Sequence, residues 1–70
     1  MMEHKLVKIL LITKVIELIA SEYKITIDEA RDRLYSSRLI DLIDDDETGL
    51  YGESALYSLS IYEEMTNLKK

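Results

Sequence analysis

The chain has no cysteine, no proline and only two glycines in seventy residues. Without cysteine, disulfide staples and thiolate zinc sites are excluded. Stability must come from apolar packing, within the chain or across an interface between chains. With so few helix breakers, and with Leu, Ile, Glu and Lys abundant, the chain reads as all-helical. A single histidine, His4, has no second imidazole or thiol with which to form a metal site or a catalytic pair, so it reads as a solvated residue. Residues 1–4 read as a disordered end, and residues 1–70 as one helical domain.

Positive charge is scarce. The net charge is −5, from nine Lys and Arg against fourteen Asp and Glu. Residues 1–24 carry four Lys and three Glu; residues 25–70 carry five basic and eleven acidic groups. An acidic surface repels phosphate, which argues against nucleic-acid binding and against anionic membrane surfaces. No uncharged run reaches signal or membrane-span length, because Lys8, Lys14 and Glu17 interrupt "KLVKILLITKVIELIA". These absences point to a cytoplasmic protein.

What is present is a set of helix signals. Helix 1 is expected over about Lys5–Glu22, with Val7, Leu11, Val15 and Leu18 on one line. Ile12, Ile16, Ile19 and Ala20 extend its apolar face well round the helix. Only Thr13, Lys14, Glu17 and Ser21 form a clear polar stripe, and Leu6 and Leu10 fall on its N-terminal extension. A face this wide belongs to a central helix or to one shared with another chain. Thr26-Ile27-Asp28-Glu29 fits a capping box, so helix 2 starts at Ile27 and runs to about Tyr35. Glu29 and Arg33, four apart, form a favourable surface pair. Ser36 or Ser37 caps a short helix 3, over Arg38–Asp44. Acids from Asp44 onward oppose the dipole at its end, and Gly49 suits a left-handed residue. Ser54 caps helix 4, about Ala55–Leu68, with Tyr57, Ile61, Met65 and Leu68 inward and Lys69 and Lys70 complementing its C-terminal dipole. The expected fold is a small three- to four-helix bundle that associates through helix 1.

Candidate chemistry centres on "DDDETGLYGES". Read from Asp44, an EF-hand loop would place ligands at Asp44, Asp46, Thr48, the Leu50 carbonyl, Gly52 and Ala55. Ala55 stands where a bidentate Glu belongs, so the loop lacks the carboxylate that calcium most needs. A calcium-sensing role through Asp44, Asp46 and Thr48 therefore ranks below an acidic turn between helices. No phosphate loop and no base beside a serine is present, and the reading is of a non-enzyme without cofactor. Of the five tyrosines, Tyr35 and Tyr57 read as edge-of-core residues, and Tyr51, between two glycines, as an interface residue.

The segment Lys14–Tyr57 resembles a group of short bacterial proteins of unknown function. The matching residues are Ile25, Thr26, Glu29, Ala30, Leu34, Tyr35 and Ser36, followed by an acidic segment before a Tyr-containing helix. Some such proteins look like small partners of toxin-type proteins. The resemblance implies an antitoxin-like neutraliser of a neighbouring basic protein as an alternative role.

The expected function is an acidic interaction or regulatory module that acts by protein–protein contact, most simply as a homodimer. Leu6, Ile9, Leu10 and Leu11 would make the dimer. Asp44, Asp45, Asp46 and Glu47, with Tyr51 beside them, would face a basic partner.

Overall fold

A computed structural model describes residues 2–68, with side chains for 5–66. The expectations placed on the side chains of His4, Leu68, Lys69 and Lys70, and on residue 1, lie outside this range. Four helices follow in order: α1 (Met2–Tyr23), α2 (Ile27–Tyr35), α3 (Leu39–Asp44) and α4 (Ala55–Leu68). Two single-turn 3-10 helices, Asp46–Thr48 and Leu50–Gly52, join α3 to α4. No strand occurs among the described residues. The all-helical bundle read from the sequence is the fold.

Helix α1 is the spine. Its 22 residues span about 33 Å at helical rise, close to the 35 Å length of the molecule. Val15 and Ile19 are fully buried, and Leu11, Ile16 and Ala20 nearly so. Ala30 and Leu34 of α2, Leu39 and Ile43 of α3, Leu50 of the loop, and Leu59 and Tyr62 of α4 close over them. Burying a Leu or Ile side chain contributes about 1.5–3 kcal/mol, so this cluster carries the fold.

The helix ends follow local hydrogen-bond chemistry. Thr26 Oγ1 accepts the Glu29 amide at 3.1 Å, which is half of the expected capping box. Ser54 Oγ accepts the Tyr57 amide at 3.1 Å and starts α4 as expected. Ser37 Oγ takes the Leu39 amide at the start of α3 and donates to the Leu34 carbonyl at the end of α2. Gly49 is left-handed, with φ 67°.

One helix end differs from expectation. Helix α1 closes on Lys24, which holds the left-handed conformation at φ 57°. The Ile25 amide returns to the Ala20 carbonyl at 3.0 Å, a Schellman closure that usually takes glycine. The turn puts Ile25 against the core and folds α2 back along α1.

Helix α4 is rotated from the expected face. Ser58, Leu59 and Tyr62 are buried, while Tyr57 is 51% exposed. Tyr62 meets Tyr23 edge-on, with ring centroids 6.0 Å apart at 82°. That aromatic contact, with small Ser58 letting α4 approach, fixes the rotation in place of a Tyr57-inward face. Tyr35 is also outside, 57% exposed, rather than at the edge of the core. Arg33 does not pair with Glu29. It lies over the Tyr23 ring at 5.7 Å, and on α2 the ion pair is Arg31–Asp28 at 2.9 Å.

Candidate functional site

The two halves of α1 have different surroundings. Its C-terminal half carries the fully buried Val15 and Ile19. Its N-terminal half meets the end of α3 and the α3–α4 loop on the side of Lys8. The Lys8 ammonium donates to the Asp44 carbonyl at 2.7 Å and to the Asp46 carboxylate. It also lies 5.6 Å from the centre of the Tyr51 ring. The Lys8 side chain is only 14% exposed, its methylenes packed beneath the loop.

This clamp reassigns the acidic loop. The Asp44 carbonyl, at the negative end of α3, and the Asp46 carboxylate hold an internal cation. Asp45 Oδ1 accepts the Glu47 amide and shapes the first 3-10 turn. The Thr48 hydroxyl donates to the Leu42 and Asp45 carbonyls and accepts the Leu50 amide. Asp44 and Asp46 therefore converge on Lys8, while Thr48 is committed to backbone. Among the described residues no group of three acids or imidazoles could hold a metal ion. Of the three residues weighed for calcium, Asp44 and Asp46 thus face Lys8 and Thr48 faces backbone carbonyls. Asp44, Asp45 and Glu47 keep exposed side chains. Tyr51 is half-buried, with its ring against Lys8, rather than projecting from the loop.

The hydrogen bond to Asp46 chiefly raises the Lys8 pKa above its ordinary value. The charges of Asp46 and Asp44 add to this, and burial opposes it. Tyr23 is also raised, first by burial and then by nearby Glu63.

The other side of α1's N-terminal half is bare. Leu6 is 61% exposed, Val7 41%, Ile9 49% and Leu10 62%. Three of the four expected interface residues of helix 1 thus lie in the open. The fourth does not: Leu11 is 7% exposed and belongs to the core, because it shares the inward line of Val15. Val7, read on the core-facing line, joins the open patch because no described element covers that side of the first two turns.

Beyond Ile9 the apolar surface passes into a groove between α1 and α2, of about 280 Å3. Its floor is Ile9, Ile12 and Ile16, and Ile27 and Tyr35 form its far wall. Nothing local in the sequence marks Ile27 and Tyr35 as the wall of a groove. A second cleft, of about 510 Å3, lies between the α2–α3 turn and α4. Arg33, Arg38, Tyr62, Met65, Ser36, Ser37 and Thr66 line it.

Among the described residues no helix is long and apolar enough to cross a membrane. No protein family, no curated protein and no solved structure matches this chain.

Proposed function

We propose that the protein is a small acidic interaction module, without catalytic activity, that acts by self-association through the N-terminal half of α1. The observation that carries this reading is the contrast along one helix. Val15 and Ile19 are fully buried, whereas Leu6 and Leu10 are more than half exposed. A contiguous apolar patch on a charged surface marks an interaction site. None of the other described helices covers it.

The acidic loop lies on the opposite side of the same helix, tied down by Lys8. Asp44, Asp45 and Glu47 give that side a negative field suited to steering a basic partner protein. The antitoxin-like role is the form this reading takes if that partner is a neighbouring protein. Sedimentation equilibrium at micromolar concentration tests the association. A dimer that dissociates on Leu6→Glu is the expected result, and a monomer across the range contradicts the reading.

A further inference from the structure

We propose that the cleft between the α2–α3 turn and α4 binds a small organic anion, an oxyanion head joined to an apolar body. Among the described residues it shares no wall with the bare patch on α1. Its walls are the end of α2, the turn after it, and the side of α4 that carries Tyr62, Met65 and Thr66. Its volume, about 510 Å3, is that of a small-molecule pocket.

Charge points to an anion. The chain has three arginines against fourteen acids, so each guanidinium has carboxylates to choose from. Arg31 takes one, in its ion pair with Asp28. Arg33 and Arg38 have no ion pair among the described residues, and both line this cleft. A cleft lined by charges of one sign concentrates the opposite ion. Guanidinium forks bind carboxylate or phosphate oxygens through paired hydrogen bonds.

Packing assigns a place to the head and to the body. Arg33 lies over the Tyr23 ring at 5.7 Å, and Tyr23 meets Tyr62 edge-on. This guanidinium is thus placed before a ligand arrives, which lowers the entropy cost of binding. The Ser37 hydroxyl proton goes to the Leu34 carbonyl. The Ser36 hydroxyl, beside it in the turn, has no hydrogen bond among the described residues. The facing wall differs in character. Thr66 spends its hydroxyl proton on the Tyr62 carbonyl at 3.0 Å. Met65, half-buried, has the flexible thioether chain that adapts to an apolar body. The head therefore belongs with Arg33 and Arg38, and the body against Tyr62 and Met65.

Nuclear magnetic resonance titration of the isotope-labelled chain at constant ionic strength tests the site, with octanoate and octyl phosphate as probes. At least one should saturate, with amide shifts concentrated in residues 33–38 and 62–66. Octan-1-ol, which lacks the charge, and acetate, which lacks the body, should each bind about tenfold more weakly or worse. Arg33→Gln/Arg38→Gln should lose about tenfold or more in affinity while circular dichroism shows its helices retained. A peptide with a free C-terminal leucine should bind more weakly than the probes. Failure of both probes to saturate, shifts centred on residues 6–10, equal binding of octan-1-ol, or an unaffected double variant overturns the site. Tighter binding of the peptide gives the cleft to a protein segment and overturns the small-molecule assignment.

Discussion

The Lys8 ammonium reaches the carboxylate of Asp46 across 38 residues of sequence and ties the acidic loop to the central helix. The contact holds Leu50 in the core and presents Tyr51 to the lysine. Lys8→Gln should therefore lower the melting temperature and raise amide exchange across residues 44–52, with the α1–α2 hairpin protected. Asp46→Asn should do the same. The double variant should lose less than the sum, because both remove one interaction. Strict additivity in thermal melts would contradict the clamp.

Alkaline pH should unfold the protein earlier than ordinary lysine and tyrosine values alone would imply. Lys8 and Tyr23 both hold their protons more tightly folded than unfolded. In the unfolded chain they release them near pH 10–10.5. Their contribution is full below that range and is lost as pH rises through their folded pKa values. Tyr23→Phe should flatten part of the stability decline above about pH 10. An unchanged slope would show that burial of Tyr23 does not couple to folding.

Lys24 offers a gain in stability. A left-handed lysine carries a steric cost of roughly 1 kcal/mol that glycine does not. Lys24→Gly should stabilise by up to about 0.5 kcal/mol after the extra freedom of the unfolded glycine is subtracted. Urea melts with an unchanged slope would measure it, and a loss of stability would contradict the strain argument.

Ser58 offers another. Its hydroxyl is fully buried and has no hydrogen-bond partner. An unsatisfied buried polar group costs about 1–3 kcal/mol, and alanine is the better helix former. Ser58→Ala should raise stability by about 1 kcal/mol. By contrast, Ile19→Ala, in the centre of the core, should cost about 2–5 kcal/mol, enough to unfold much of so small a domain. Chemical denaturation of both variants checks the pair, and a destabilised Ser58→Ala would mean that the hydroxyl is satisfied.

Those features that depend on neighbours in the chain were legible in the sequence. Thr26, Ser54 and Gly49 do what their chemistry implies, because caps and left-handed turns are decided within a few residues. The helical pattern of α1 was legible for the same reason. The features that failed depend on what packs from afar. Tyr57 and Leu59 compete for the inward side of α4, and only the contact between Tyr62 and Tyr23 decides. Lys8 looked like one more surface lysine, since nothing local marks it as the cation for Asp46. Leu11 and Leu10 are adjacent apolar residues, and the reach of α3, α4 and the loop alone puts one inside and leaves the other out. Lys24 was missed because a lysine rarely takes a left-handed turn.

The central claim is that the bare N-terminal half of α1 is covered by another copy of the chain. Sedimentation equilibrium of the wild-type chain beside a Leu6→Glu/Leu10→Glu variant tests it most directly. The account predicts twice the 8.2 kDa chain mass for the wild type at micromolar concentration. It predicts the single chain mass for the variant, with its helical content retained. A wild-type chain of single mass, or a variant that keeps the dimer, would contradict it.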